Sequence, residues 1–334
     1  MRQAASASLP GFLPRLLGSP WPGFLLRRLA GVAAGVLMLI ALSFVMVQLI
    51  PGDPAVILAG EHATAAMIDH TRQQLGLDRA LGVQFIAYAA MMLQGEFGTS
   101  FRLGIPVLDV LMVRLPYTIS LATAGIVLVL AVAVPMGVTV GVLTRNGRRA
   151  WLDVGFGVVT GFLTAVPGYV KATLLILFLG IWAGLLPPSF SGSAPVVSMI
   201  MPLIALALGP ICVIARVLRR ETADVLEQDF MRTARGWRLG AAKLYVKYAL
   251  PNLLTTTLTL SAMLMTSMIG SAVVIETVFS IPGVGRAVVE AIANRDYPLI
   301  QGAIIMIGTV ALFLHLLVDI LLGLFDPRTL GGRR

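Results

Sequence analysis

A few ionisable side chains interrupt apolar stretches of this sequence, and with them the chain could do chemistry. Lys171 lies in a long apolar run, where a lysine costs at least about 2.5 kcal/mol unless it faces water or a partner. It could line a hydrated cavity as a counter-charge for an anionic group, or it could pair with Glu276 or reach the membrane surface. His315 and Asp319 are spaced i, i+4, which suits a structural hydrogen bond or a proton relay.

Other kinds of reactive site are missing from the sequence. It has no Gly-x-x-x-x-Gly-Lys-Ser/Thr loop and no Gly-Lys pair, so the chain lacks the element that holds ATP phosphates. Its single cysteine, Cys212, excludes an intrachain disulfide, and no Cys/His group has metal-ligand spacing. Met263, Met265 and Met268 favour packing, although flexible thioethers also suit a permissive cavity. We expect no catalytic residue, metal or cofactor in this chain.

The composition is typical of a protein embedded in a lipid bilayer. Of 334 residues, 57% are hydrophobic and only 12% are charged, which lies outside the range of soluble domains. The formal net charge of +9 resides in short basic clusters between apolar runs, a pattern that orients a protein in an anionic membrane. The basic charge therefore favours a membrane partner and disfavours nucleic acid.

Six runs are apolar for about 20 residues or more, the length that crosses the hydrocarbon layer as a helix. Their approximate bounds are 29–50, 116–143, 152–185, 196–215, 251–275 and 299–322. The third run contains Pro167 and Gly168, which predicts a kink. With the amino terminus inside, 18 Lys and Arg residues fall in cytoplasmic segments and 6 fall outside. The sequence thus predicts an all-α integral membrane fold with six transmembrane helices and both termini in the cytoplasm.

The predicted organisation is one membrane domain with two tails. In chain order, the parts are a flexible cytoplasmic tail at 1–26, the transmembrane domain at 27–328 and a cytoplasmic tail at 329–334. The domain includes an extracytoplasmic segment at 51–115, in which the apolar pattern of 64–75 predicts a short amphipathic helix. This segment serves either as a solvated lid or as part of a docking platform, and its length favours an ordered structure.

A large cytoplasmic loop at 216–250 concentrates eight of the 25 basic residues. Asp229 fits the N-cap position of a short helix at 230–235. Phe230 and Met231 would form an apolar knob on this helix, and Arg232 and Arg235 a charged rim. An apolar tip suits insertion into a groove on another protein. The alternative is a basic loop that lies on anionic headgroups.

Four patches in order along the chain carry a family resemblance. They are Pro51-Gly52-Asp53-Pro54-Ala55; Leu75-Gly76-Leu77-Asp78; Glu276-Thr277-Val278-Phe279-Ser280-Ile281-Pro282-Gly283-Val284-Gly285; and Arg295-Asp296-Tyr297-Pro298 with Asp319 and Asp326-Pro327-Arg328. Together they resemble the permease subunits of the dipeptide, oligopeptide and nickel class of ABC importers. More narrowly, they resemble the subunit that carries a long first extracytoplasmic segment.

The cytoplasmic loop resembles the same family. In that family the loop carries a signature of a Glu-Ala-Ala-like triplet, then a glycine, then an aliphatic-x-Leu-Pro group. Here the triplet corresponds to Arg232-Thr233-Ala234, and the last group corresponds to Tyr248-Ala249-Leu250-Pro251. One element departs from the pattern, because Arg238 occupies the position where a glycine is expected. A glycine at this position would permit a left-handed turn between two short helices. Either the turn lies instead at Gly236 or Gly240, which flank Arg238, or Arg238 adopts a strained conformation.

The resemblance implies a type I ABC importer permease fold and a set of site residues. Contacts to the ATPase would involve Asp229, Phe230, Met231, Arg232, Thr233, Ala234, Arg235 and Gly236. Glu276 would flank the external gate, and Lys171 and Met268 are our candidates for the translocation path. The implied partners are a second homologous permease in a heterodimer, two ATPase domains that bind ATP and Mg, an external substrate-binding protein and the bacterial plasma membrane.

The sequence leaves three classes of function open. The resemblance favours an ATP-driven importer, with peptide as the default cargo and nickel chelate, glutathione or haem as alternatives. A proton-coupled secondary transporter would use His315 and Asp319, and it predicts inverted repeats that the sequence does not clearly contain. A membrane enzyme would need clustered nucleophiles or acid–base pairs at one membrane depth, and only the His315/Asp319 pair comes close.

Overall fold

The described part of the chain is helical. The structure, a computed structural model, describes residues 21–49, 53–59, 63–74, 76–236, 240 and 244–325. Within those ranges there is no β-strand, only an isolated bridge between Thr99 and Pro106. The predicted all-α class is therefore confirmed. The predicted tails lie largely outside the described residues, but residues 21–26 already belong to the first helix.

The helices are labelled in chain order. They are α1 (Trp21–Leu49), α2 (Pro54–Ala59), α3 (Ala65–Gln74), α4 (Leu81–Gln94), α5 (Val107–Thr144), α6 (Ala150–Ala165), α7 (Gly168–Leu175), α8 (Pro195–Ser198), α9 (Ile200–Glu227), α10 (Asp229–Gly236), α11 (Leu250–Val278), α12 (Val284–Ala293) and α13 (Tyr297–Phe325). A 3₁₀ turn, Arg145–Gly147, follows α5. Two π-helical stretches, Ile176–Trp182 and Leu244–Ala249, extend α7 and lead into α11.

Several helices are long and apolar enough to cross a membrane. In the described part of the chain four stretches qualify alone, Trp21–Leu49, Val107–Gly147, Pro195–Glu227 and Tyr297–Ile320. The α6/α7 pair qualifies as a bent unit, which brings the number to as many as five. The fifth predicted run, 251–275, lies within the 29-residue α11. The count of six stays a prediction.

Observed helices extend beyond the apolar runs that predict them. The helix predicted at 116–143 begins at Val107, with Pro106 directly before it and Asp109 in its first turn. An acidic side chain in the first turn interacts favourably with the helix dipole. An apolar run marks the portion of a helix that suits lipid, whereas polar turns continue the same helix beyond it. Hydropathy therefore locates these helices better than it locates their ends.

The kink predicted at Pro167 is confirmed, and it is a complete break. The axes of α6 and α7 differ by 97° across it. Val166 adopts an extended conformation (φ −68°, ψ 126°), as a residue before proline prefers. Because proline has no N–H and its ring clashes with the preceding turn, α6 ends and a new helix begins.

The core of the molecule is the seam between α5 and α9. A Cβ added at Gly137 would lie 2.7 Å from the carbonyl oxygen of Ala215, and one at Gly141 would lie 2.7 Å from that of Arg219. Glycine at both positions allows the two backbones to approach closely, as small residues do between membrane helices. Leu218, fully buried, fills the seam. This contact positions α9, which contributes Ala205, Leu206 and Pro210 to the wall of a cavity described below.

The outer segment, which is the stretch at 51–115 predicted to be extracytoplasmic, contains the helices α2, α3 and α4. The short helix predicted at 64–75 is confirmed as α3. The Asp53 carboxylate accepts a hydrogen bond from the N–H of Ala55 (2.9 Å) at the start of α2, and it forms an ion pair with Arg72 of α3. A carboxylate at a helix start stabilises the free N–H groups there. The first of the four sequence patches therefore ties α2 to α3; Pro51, Gly52 and Leu75 lie outside the described residues.

Two helices at opposite ends of the sequence, α1 and α13, pack together. Arg28 Nη1 lies 2.8 Å from Asp319 Oδ2, and the Asp319 side chain is 12% exposed. The predicted i, i+4 pairing of His315 with Asp319 did not indicate this partner, because Arg28 is almost 300 residues away in sequence. The ion pair gives Asp319 a structural task between two helices.

Candidate translocation site and coupling surface

Lys171 lies in the first turn of α7, directly after the break. Its side chain is buried, and Nζ donates a hydrogen bond to the carbonyl oxygen of Leu163 (3.3 Å). In an unbroken helix that carbonyl would accept from residue 167, but Pro167 has no N–H to donate. The ammonium thus occupies the place of the missing donor. One proline explains both the break and the partner of the lysine.

A cavity of about 310 Å³ surrounds Lys171. Its walls come from the end of α6, the start of α7, and α9 and α11. Met268, which is 2% exposed, lies on the wall, together with the hydroxyl-bearing residues Ser267 and Ser271. A Cβ at Gly209 would lie 3.2 Å from Lys171 Nζ, so the ammonium rests against the α9 backbone. The structure places Lys171 and Met268 on one cavity wall, and Glu276 is not part of it.

Glu276 has a different task, at the end of α11. Its carboxylate is fully buried and accepts hydrogen bonds from Thr118 Oγ1 (2.7 Å) and from the N–H of Arg286 (3.1 Å). The N–H of Val284 donates in turn to Thr118 Oγ1 (2.9 Å). The carboxylate therefore satisfies the free N–H groups at the start of α12, where negative charge is favoured. The alternative of a Lys171–Glu276 pair is wrong, since each side chain has other partners.

The turn between α11 and α12 is closed around this carboxylate. A Cβ at Gly283 would lie 2.3 Å from Glu276 Cδ, and one at Gly285 would lie 2.6 Å from the Cα of Val273. Ser280 adopts a positive φ of 56°, which is uncommon outside glycine. The sequence patch at 276–285 is thus a set of residues that lets the backbone wrap tightly around a buried acid.

A second ion network lies beside this turn. Glu290 of α12 pairs with Arg286 (Nε to Oε1, 2.7 Å) and with Arg114 of α5 (Nη1 to Oε2, 3.1 Å). The guanidinium of Arg286 also donates to the carbonyl of Ser280 (2.8 Å). Since these groups are partly exposed, each pair contributes only modestly to stability. Together they hold the turn against α5.

Asp296 ties the outer segment to α13. Its buried carboxylate accepts from the hydroxyl of Ser100, from the N–H of Phe101 (3.1 Å) and from the N–H of Leu299 (3.4 Å). The sequence offered a signal that we did not use, because an aspartate two residues before Pro298 matches a helix N-cap. No local signal could reveal the contact with residues 100 and 101, which are almost 200 positions away in sequence.

The predicted coupling helix exists as α10, between α9 and the stretch that leads into α11. Phe230 is 38% exposed, whereas Met231 is fully buried within its own chain. The predicted two-residue knob is therefore wrong for Met231. Ala234 is also buried, whereas Thr233 and Gly236 are exposed, and Thr233 donates to the carbonyl of Asp229 (3.0 Å).

The predictions for three basic residues of the charged rim and the turn fall outside the part of the chain that the structure describes. The side chains of Arg232 and Arg235 and the whole of Arg238 lie outside the described residues. Leu250-Pro251 does begin α11, with the proline in its first turn, as its role as a helix start predicts. Phe230 remains as the apolar side chain of α10 that is available to a partner.

These features define a class of protein. Several long apolar helices, a cavity that Lys171 lines at a broken helix, and a short helix that exposes an aromatic side chain are features expected of a membrane transport subunit. The inward-facing MetNI methionine ABC transporter contains a chain with the same fold: the TM-score is 0.55 at 14% identity, covering 66% of this chain and 97% of that one. The predicted type I ABC permease fold is thereby supported.

The chain belongs to the family of binding-protein-dependent transport system inner membrane components. The model of that family matches residues 133–331, and the model of its N-terminal domain matches residues 22–122. The predicted resemblance is confirmed, and the protein is a membrane permease subunit of an ABC importer.

Relatives cover nearly the whole chain. A probable peptide ABC transporter permease of Sinorhizobium fredii is 37% identical over 91% of this chain and 98% of its own length. A putative peptide transport system permease of Brucella suis is 34% identical over the same shares. A glutathione transport system permease of Pectobacterium atrosepticum is 33% identical over 91% of this chain and 97% of its own.

Proposed function

We propose that this chain forms half of a peptide translocation pathway in the bacterial inner membrane. The observation that carries the proposal is the buried Lys171 ammonium on a cavity wall at a helix break, together with relatives named as peptide permeases. A positive charge beside hydroxyl groups and Met268 suits a cargo whose one constant feature is a terminal carboxylate. Flexible thioethers tolerate varied side chains. Glutathione, which also carries carboxylates, is the second candidate, because one relative is named for it.

The chain works in this proposal as one of two homologous subunits. Six spans with both termini in the cytoplasm would place α10 on the inner side and the turn between α11 and α12 on the outer side. An external binding protein delivers the cargo to the outer segment. Two ATPase domains, which hold ATP and Mg, act on the cytoplasmic loops. Asp319 forms an ion pair with Arg28 that holds it between α1 and α13. This structural task favours an ATP-driven importer over a transporter that would carry protons through Asp319 in the sixth span.

The isolated chain is expected to hydrolyse no ATP above background. It has no loop that could cradle nucleotide phosphates, so hydrolysis requires the partner subunits. Hydrolysis should be measured on the purified chain and on the co-expressed complex of both permeases, the ATPases and the binding protein. Hydrolysis by the chain alone, which persists after removal of contaminating ATPases, would contradict the importer assignment.

Replacing Lys171 with methionine is expected to slow peptide uptake about tenfold, the effect of losing ~1.4 kcal/mol of charge stabilisation along the path. Methionine keeps the bulk of the stem and removes only the ammonium. Thermal stability of the complex should stay close to that of the wild type, because Lys171 lines a cavity from which water can reach the freed Leu163 carbonyl and replace the donor.

The control is Lys171→Arg, which retains the charge and should retain most uptake. Uptake is measured in proteoliposomes at saturating binding protein, so that capture of the cargo does not limit the rate. A Lys171→Met variant that transports at the wild-type rate but melts earlier would show that the lysine only replaces the missing backbone donor.

A further inference from the structure

A larger cavity, of about 650 Å³, lies in the outer segment away from Lys171. It is bounded by the outer end of α1, by α2 and α4, and by the start of α13. Its size falls within the range of small-molecule sites, about 300–1,000 Å³. Apolar side chains form most of its wall, among them Phe44, Leu77, Met92 and Phe97. The cavity therefore offers an apolar compartment that the proposed transport cycle does not use.

One buried polar group of a residue that lines this cavity has no partner in the part of the chain that the structure describes. The hydroxyl of Tyr297 is buried, the residue is only 3% exposed, and no hydrogen-bond partner for the hydroxyl exists within the described part of the chain. The ring is positioned by an edge contact with Phe101. Buried hydroxyls without partners are rare in proteins, since the loss of hydration is not repaid. The group points to a missing acceptor.

Two neighbouring polar side chains of the wall already have partners. The Tyr88 hydroxyl pairs with Ser43 (2.9 Å), and the Gln84 amide donates to the carbonyls of Leu77 (3.0 Å) and Arg79 (2.8 Å). Arg79 is exposed, and it is the one charged side chain among the described residues of the lining. A ligand that accepts a hydrogen bond and carries a neutral or negative head would complement this wall.

The cavity is open at a rim of exposed apolar side chains. Leu58 and Met91 line it and are also 43% and 42% exposed. On either side lie exposed apolar residues of α1 and α4, with Leu49 76% and Ile86 69% exposed. An apolar helix such as α4, beside the end of a membrane span, lies along the interface between headgroups and acyl chains. Bilayer amphiphiles therefore have direct access to the cavity.

We propose that this cavity is a binding site for an acyl chain of the outer membrane surface. The chain packs against the apolar wall, and the carbonyl or carboxylate oxygen at its head accepts a hydrogen bond from Tyr297. A lipid ester and a free fatty acid share this chemistry. The site is separate from the Lys171 cavity and does not depend on which cargo the importer carries.

The test is photolabelling of the complete complex in nanodiscs. Two probes are used in parallel, a photoactivatable palmitate and a photoactivatable phosphatidylethanolamine, and the labelled peptides are identified by mass spectrometry. We expect adducts on peptides from α4 and from the start of α13. Labelling by both probes assigns the acyl chain to a membrane lipid, and labelling by palmitate alone assigns it to a free fatty acid.

Variants on one helix provide a matched comparison. Ala87 lines the cavity, whereas Ala90 is exposed on the same helix and is not part of the lining. Ala87→Phe should fill the cavity and reduce labelling about tenfold, and Ala90→Phe should leave labelling unchanged. Tyr297→Phe removes only the hydroxyl and should reduce labelling about fivefold, as loss of one hydrogen bond predicts.

Three results would overturn the proposal. The first is the absence of adducts in cavity peptides with both probes, and the second is labelling that Ala87→Phe and Ala90→Phe change equally. The third is occupation by the external binding protein, which would give protein crosslinks at Ala87 and no lipid adduct. Thermal stability of each variant, measured alongside, identifies any variant that fails to fold, and Tyr297→Phe then supplies the decisive comparison.

Discussion

Substrate uptake by the assembled complex is expected to fall to background when Phe230 is replaced with aspartate. Phe230 is the exposed apolar side chain of α10, and we propose that it enters a groove on the ATPase. A charge in such a groove removes a contact of about 2 kcal/mol or more, which is roughly thirtyfold in affinity. Membrane insertion should be unaffected, because the side chain is not part of the core. Uptake and ATP hydrolysis are measured on the same proteoliposomes.

Two control variants separate lost contact from added charge. Phe230→Leu keeps an apolar tip and should retain most uptake. Thr233→Asp adds the same charge at an exposed position on the same helix, and it should have a far smaller effect. If Phe230→Asp transports at the wild-type rate, or if both aspartates abolish uptake equally, Phe230 is not the contact that we propose.

Met231, predicted to be exposed with Phe230 but buried in the structure, shows how far a sequence pattern can predict a surface. Two adjacent apolar residues point about 100° apart around a helix, so they cannot both lie on the exposed tip. Which of them faces the chain depends on how α10 packs against α9, and that packing is a tertiary property. The sequence therefore predicted the helix to within one residue at each end, while the structure was needed to choose Phe230 over Met231.

Lys171 shows the opposite case, in which a local rule would have been sufficient. Pro167 frees the carbonyl four residues before it, and Lys171 follows four residues after it, on the next turn of chain. The kink was predicted from Pro167 and Gly168, and the freed carbonyl was expected to find its partner on a neighbouring helix, whereas the structure shows that Lys171 of the next turn is the donor. The alternative pair with Glu276 had no such local rule behind it, and the structure gives the two side chains different partners.

Long-range partners could not be predicted. Thr118 and Glu276 are 158 residues apart in sequence and 2.7 Å apart in the structure. The family resemblance marked the patch at 276–285 without saying what its glycines do. Only the folded chain shows that Gly283 and Gly285 leave room for a carboxylate that caps α12. Periodicity and hydropathy describe single helices, and this site is built between three of them.

Replacing Gly283 with alanine is expected to impair both the stability of the complex and its uptake. The φ of Gly283 is −92°, which any residue adopts, so the effect is purely steric. The new Cβ would lie 2.3 Å from Glu276 Cδ, so either the turn or the carboxylate must move. Overpacking of this kind costs about 1–3 kcal/mol. Displacement of the acid also leaves the first N–H groups of α12 without their acceptor. Thermal stability and uptake are measured on the same preparation.

A second substitution tests the mechanism directly. Glu276→Asp shortens the acid by one methylene and should partly restore a Gly283→Ala protein, although alone it weakens the hydrogen bond from Thr118. The control is Gly270→Ala, on α11, the helix that carries Glu276. A Cβ at Gly270 would meet nothing within 4 Å, so this variant should behave as the wild type. A general loss of backbone flexibility would impair both glycine variants, and Glu276→Asp would not correct it. If Glu276→Asp fails to rescue Gly283→Ala, the steric explanation is refuted. Rescue of stability without uptake would show that the turn must also move during transport, as an outer gate does.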